Sequence, residues 1–301
     1  MSSEQTKADL AMVLATFLAS LGWMFSGTVL QGMPPLLFIG LRFFISGLIL
    51  LPFGWQKLSQ LGWTGVRISL PAGLIFSVAI IFWILGLKYS VHVGVGAFLL
   101  SLNFLLVPLV AFWWGERPDR LYWFSLPVAS LGVLCLFQNA ELAFGLGEVF
   151  FALSAVGFAL FLNLNRALAQ RIPAFALVSL QQLMVGGVIL LVSLFFEVWS
   201  VSLSTAILGS FLGSVLISTC GRFMLQSWAQ RRTSAVNVAL ILLLEPVWVA
   251  LLALFWLGQG MSVVQVLGCL LIFSAVLLSR SKVMLGWWRS RRSLRMVKPS
   301  A

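Results

Sequence analysis

Few residues in this sequence could do chemistry, and those few stand inside long apolar runs. Glu245 sits about 12 residues into one such run, next to Pro246, roughly 18 Å along a helix rising 1.5 Å per residue. Pro246 has no N–H and frees a carbonyl on the preceding turn. A carboxylate beside such a break can accept a proton, pair with an amine or salt-bridge an arginine. Arg42 and Arg222 are the cations at comparable depth. A structural pair is the expected role of Arg42, while Arg222 is poised between ligand contact and snorkelling toward the interface. The amides Asn103, Asn163, Gln226 and Asn237 supply donors and acceptors, either as cavity lining or as interhelical hydrogen bonds. Trp23 and Trp83 lie too deep for an interfacial belt; each carries an N–H that wants a partner and a flat face that can form a wall or pack on a neighbour.

These residues matter because of what surrounds them. Of the 301 residues 61% are apolar and 9% charged, and the mean hydropathy is +1.06, whereas a soluble domain carries about a quarter charged residues. A helix needs roughly 20 apolar residues to cross a bilayer. The sequence offers ten such runs, at about 9–30, 34–54, 69–87, 91–114, 121–138, 147–168, 175–196, 205–229, 233–257 and 262–279, so the expected fold is an all-α integral membrane protein with ten transmembrane helices. Charge at the bilayer centre costs about 2.5–3.5 kcal/mol on insertion scales, which is why Glu245, Arg42 and Arg222 need partners or a wet cavity.

The +11 formal charge raises the question of a nucleic-acid partner. Placing the N-terminus inside puts 16 of the 19 Lys and Arg residues in inner segments, leaves only Lys88 outside and Arg42 and Arg222 at depth. That bias predicts an even helix count and two cytoplasmic termini. The tail at 282–301, with Trp287 and Trp288 beside its arginines, reads as an anchor on anionic membrane lipid, with no nucleic acid as partner. The run beginning at Leu10 exceeds a signal-peptide core and is expected to remain as the first helix.

Catalytic constellations are missing. The single histidine, His92, excludes HExxH and most metal sites, and no GxSxG, Walker loop or acidic cluster occurs. The chain is therefore read as no enzyme, with no cofactor and no metal. Cys135, Cys220 and Cys269 lack any framework spacing and read as packing residues.

The halves repeat. Leu36–Leu51 lies beside Ala176–Leu191 without a gap, setting Arg42 opposite Gln182, and Val91–Pro118 lies beside Ser234–Met261, setting Asn103 opposite Pro246. Five helices per copy is an odd number, so the second copy enters the membrane inverted. The expected units are 1–140, 141–281 and the basic tail. Gly209 and Gly213 add a GxxxG step, read as packing.

Pro35 with Leu41-Arg42-Phe43, Pro108 with Gly115-Glu116-Arg117, and Glu245-Pro246 followed by Gly258 and Gln265-Val266-Leu267-Gly268 together resemble the drug/metabolite transporter superfamily, in particular its EamA-type ten-helix exporters. The resemblance covers nearly the whole chain. Gln259 departs from it, standing where the family often has an acid, so Glu116 is read as an interfacial or loop-capping residue. The resemblance implies a central cavity, with Arg42's helix peripheral and Glu245, Asn103, Trp23 and Arg222 favoured as ligand contacts.

The expected function is secondary active export of amino acids or similar small amphipathic metabolites across the inner membrane. An exchanger of phosphorylated or nucleotide-linked metabolites is the alternative, and a channel ranks below it. Partners are then a small-molecule substrate and membrane lipid; a homodimer is compatible with this reading.

Overall fold

The computed structural model describes residues 3–89, 99–116, 120–136, 145–202, 204–258 and 260–296. His92, Gln259 and most of the Asn139–Gly145 connector lie outside them. The elements are α1 (Ser3–Val29), α2 (Pro35–Tyr89), α3 (Asn103–Trp113), α4 (Arg120–Leu136), α5 (Leu146–Ala169), α6 (Ala174–Phe196), α7 (Thr205–Val215), a π-helical segment (Leu216–Gly221), α8 (Arg222–Gln230), α9 (Ala235–Leu242), α10 (Leu244–Leu257) and α11 (Val263–Met296). Among the described residues six stretches are long and apolar enough to cross a membrane: 4–29, 35–89, 146–169, 174–196, 205–230 and 235–256. Shorter apolar helices occupy 99–113, 120–136 and 263–279.

The 55 residues of α2 would extend roughly 80 Å if straight, against a hydrocarbon core of about 30 Å. Gly62, at φ 53° and ψ −146°, breaks the helix. The chain reverses there, because Gly47 on the first limb and Gly73 on the second abut Leu183 and Met184, neighbours on α6. A connector from 55 to 68 was expected. Residues 55–61 have good helix formers and no proline, so the turn narrows to one glycine, whose positive φ an L side chain would resist.

The α2–α6 contact is tight. A Cβ at Gly40 would stand 2.8 Å from Leu190, one at Gly47 2.7 Å from Leu183, one at Gly54 2.8 Å from Ala176, and one at Gly186 2.3 Å from the Phe44 backbone nitrogen. Small residues let antiparallel backbones approach where lipid offers no hydrophobic drive to association. Gly132 of α4 and Gly268 of α11 meet in the same way, each against the other's carbonyl. Of the GxxxG pair, Gly213 packs on the Phe25 ring, whereas Gly209 faces open space.

Three helical runs are interrupted. Leu102 forms a tight turn, its N–H bonding the Leu99 carbonyl at 3.1 Å, before α3 starts. Leu243 does the same to Leu240 at 3.3 Å, separating α9 from α10. The missing N–H of Pro246 weakens the ladder at that point. The run from Thr205 to Gln230 passes through the π segment, a single wide turn of the kind often found at functional sites.

Polar groups gather at the two ends. At one end Glu4 pairs with Lys7 at 3.0 Å and Arg232 at 3.2 Å. There too Arg166 binds Glu116 and the carbonyls of Gln230 and Thr233. Glu116, expected to be an interfacial or loop-capping residue, thus ties the end of α3 to α5. At the other end Glu197 accepts from the Leu36 and Leu37 N–H groups at 2.8 Å each, placing an acid on the positive end of α2. The Ser202 N–H bonds the Gly32 carbonyl at 2.9 Å there.

Candidate functional site

Between these ends, α1, the π segment with α8, and the start of α10 bring charges together. Glu245, in the first turn of α10, accepts from the Trp23 indole N–H at 3.0 Å and pairs with Arg222 Nη2 at 3.4 Å. Trp83 meets Trp23 edge to face, with centroids 6.1 Å apart. Glu245 and Arg222 keep 22% and 24% of their side-chain surface exposed, and Trp23 keeps 45%. Charges exposed to lipid within a bilayer are penalised, so this surface fits a water-filled space better than hydrocarbon. The Arg222 guanidinium also lies 5.0 Å from the Phe223 ring, while its Nε is buried without a partner. Gln226, one turn along α8, is buried with its Oε1 unpartnered.

Arg42 reaches the same region from α2. Its Nε donates to Thr219 Oγ1 at 2.5 Å, Nη1 to Ser26 Oγ at 3.4 Å and Nη2 to the Ser218 carbonyl at 3.3 Å. Every one of these acceptors is neutral. A structural ion pair was expected for Arg42; among the described residues it has no ion pair, and it pins α1 and α2 to the π segment. Gly22 makes the approach feasible, since a Cβ there would stand 2.8 Å from Ser218 and 3.0 Å from Arg42 Nη2. Thr219, Ser218 and Ser26 carry no sequence signal beyond being small and polar in an apolar run.

The remaining amides bond elsewhere. Asn103 turns back on the Leu100 carbonyl at 2.6 Å, next to the break at Leu102. Asn163 donates to the Val107 and Ala159 carbonyls at 3.1 and 2.9 Å, joining α5 to α3. Asn237 donates to Thr233 Oγ1 at 3.2 Å, near the Arg166 end. Tyr122, not singled out from sequence, donates to the Phe104 carbonyl at 2.9 Å. Pro108 leaves that carbonyl without its helical donor, which is a signal the sequence did contain.

Two surface clefts lie away from this junction. One, about 460 Å³, is lined by Gln31, Pro34 and Ser202 among others at the Glu197 end. The other, about 240 Å³, is an apolar notch between the second limb of α2 and α5, with Arg171 at its edge. Neither gathers charges as the Glu245 junction does. No group of three or more His, Cys, Asp or Glu side chains able to hold a metal occurs among the described residues.

A family model for EamA-like transporters matches residues 6–138 and again 145–281. The chain belongs to the EamA-like transporter family. It is thus a multi-pass membrane transporter of the drug/metabolite transporter superfamily. This EamA-like chain is 24% identical over 282 residues to an uncharacterized transporter of Archaeoglobus fulgidus, covering 92% of this chain and 86% of that one. It is 32% identical over 84 residues to a probable 4-amino-4-deoxy-L-arabinose-phosphoundecaprenol flippase subunit, ArnE, of Pectobacterium atrosepticum, covering 28% of this chain and 69% of that one. A crystal structure 20% identical in sequence superposes with a TM-score of 0.79 over 91% of this chain and 96% of its own. At that identity the likeness shows the fold alone.

Proposed function

We propose that this transporter exports amino acids or similar small amphipathic metabolites across the inner membrane by secondary active transport. In this reading two inverted five-helix repeats, 1–140 and 141–281, rock about the Glu245 junction, and both termini are cytoplasmic. The carrying observation is Glu245 itself, a partly exposed acid at the start of a broken helix, held by Trp23 and Arg222. Its protonation, or its transfer from Arg222 to a substrate amine, would change the charge holding α1, α8 and α10 together. Gln226 lies one turn from Arg222, and Trp83 extends the Trp23 wall.

Two observations support inverted repeats. The first limb of α2 and α6, which match in sequence, pack antiparallel, with residues 40, 47 and 54 against 190, 183 and 176. The breaks at Leu102 and Leu243 fall within two positions of correspondence in the ungapped match of 91–118 to 234–261. Interrupted helices in matching places are a common mark of a transporter's central site.

Purified protein is first screened by thermal shift against amino acids, nucleosides and phosphate esters, since a ligand of the folded state raises the melting temperature. Counterflow of the labelled hit is then measured in proteoliposomes. Glu245→Gln is expected to lower the rate at least about tenfold, equivalent to about 1.4 kcal/mol, and to flatten its pH dependence. Wild-type flux with an unchanged pH profile in that variant would sink the proposal.

A second reading has one specific observation behind it. Arg42 and Arg222 converge on one π segment, which suits a phosphate-bearing substrate. ArnE is named for a lipid-linked amino sugar phosphate, and such a ligand offers an amine for Glu245 and a phosphate for the arginines. Competition by phosphate esters but not by amino acids would favour it.

A further inference from the structure

The charges at the junction do not cancel. Arg222 and Glu245 form one ion pair at 3.4 Å. Arg42 adds a second cation whose three acceptors, Thr219, Ser26 and the Ser218 carbonyl, are all neutral. Among the described residues Arg42 forms no ion pair. Glu245 already serves Arg222 and Trp23.

The other acids among the described residues are engaged elsewhere or lie far along α1. Glu4 and Glu116 are paired at the Arg232–Arg166 end. Glu148 accepts from the Gly145 N–H, and Glu197 holds the start of α2. Asp9 lies in the early turns of α1, 17 residues from Ser26, which is about 25 Å along the helix. Asp119 and Glu141 lie outside the described residues.

The junction's guanidinium donors are not all used. Ser218, which takes Arg42 Nη2, is one turn from Arg222 on the same continuous segment. Arg222 Nε is buried and has no acceptor. Gly22, beside Trp23, has no side chain to fill the place where Arg42 Nη2 approaches. A guanidinium keeps its charge even when buried, presenting a planar fork that matches a carboxylate or phosphate. An unneutralised cation partly walled off from bulk water attracts an anion more strongly than one fully in water.

We infer that the junction takes a small organic anion of net charge −1, its carboxylate or phosphate group shared between Arg42 and Arg222. This rests on reading the junction as the transport site and narrows the substrate class: a neutral zwitterion leaves the junction at +1, while a monoanion brings it to zero. Arg42, peripheral in the family resemblance, becomes a ligand-contact residue and a determinant of charge selectivity.

The test uses full-length protein in detergent, so that it does not depend on transport. Three probes share a phenyl ring on a three-carbon chain and end in an anionic, a cationic and a neutral group: 3-phenylpropionate, 3-phenylpropylamine and 3-phenylpropanol. The phenyl group suits the Trp23–Trp83 wall. The propionate is expected to raise the melting temperature saturably, by about 2–4 °C once several-fold above its dissociation constant, with smaller shifts from the other two. Arg222→Gln and Arg42→Gln should each weaken propionate binding at least about tenfold, while Glu245→Gln should strengthen it, because the junction then carries +2. Arg42→Lys keeps the charge and should retain more binding than Arg42→Gln. If Arg42→Gln does not fold, Arg222→Gln and Glu245→Gln carry the test, since neither touches the bonds Arg42 makes to the π segment. An amine or alcohol shift equal to that of the acid, propionate binding unchanged in Arg222→Gln, weaker propionate binding in Glu245→Gln, or no shift from any probe would overturn the inference. Failure of Glu245→Gln to alter flux would count against the transport reading alone.

Discussion

The α2–α6 contact and the Glu245 junction are both built on glycines, and they use them for opposite ends. Along α2 and α6, Gly40, Gly47, Gly54 and Gly186 remove side chains so that apolar backbones touch, and the gap is filled by Leu183, Leu190 and Phe44. At the junction Gly22 removes a side chain so that Arg42 can reach Ser218, and the result is a loose set of polar bonds between 2.5 and 3.4 Å. The first region has one good arrangement, because close-packed surfaces do not deform continuously. The second can be rearranged by moving a proton or one charge partner. In the proposed function the first serves as a rigid unit and the second as the site whose bonds are exchanged.

The sharpest way to break the comparison is within two adjacent residues. Gly186→Ala forces a Cβ to within 2.3 Å of the Phe44 backbone nitrogen, while a Cβ at Gly187 meets nothing within 4 Å. Gly186→Ala should cost about 3 kcal/mol, the upper part of the range for overpacked sites. Gly187→Ala should be neutral or slightly stabilising, by about 0.5–1 kcal/mol, from helix propensity. Unfolding in detergent by heat and by denaturant reads both. Equal effects would mean the backbones do not approach so closely.

A smaller effect probes the broken helix. Tyr122→Phe removes the donor to the Phe104 carbonyl that Pro108 leaves open, and should lower stability by about 1–2 kcal/mol. The smallest concerns an amide away from the junction. Asn237→Ala loses one bond to Thr233, and should change stability by about 0.5–1 kcal/mol with counterflow within about twofold of wild type. A tenfold loss of flux in that variant would move the site toward the Arg166 end.

Much of the architecture was legible because lipid simplifies the problem. Apolar runs must be helical, since each backbone polar group needs an internal partner. The sequence also marked Glu245, Arg222 and Trp23, because a charge or a deep indole N–H in an apolar run needs explaining. It did not show that residues 55–68 stay helical around Gly62, nor the π segment, since both depend on how neighbouring helices pull on a backbone.

By itself, then, the sequence determined that the chain is helical and membrane-embedded and which few residues are too polar for lipid. Hydropathy and charge act residue by residue, so they can be read in one dimension. Only the tertiary structure decided who meets whom. It turned Asn103, Asn163 and Asn237 to bonds away from the junction, joined Glu116 to Arg166, and gave Arg42 neutral acceptors in place of the ion pair expected. Partner choice is set by helix register and close approach, and those depend on residues far apart in the chain.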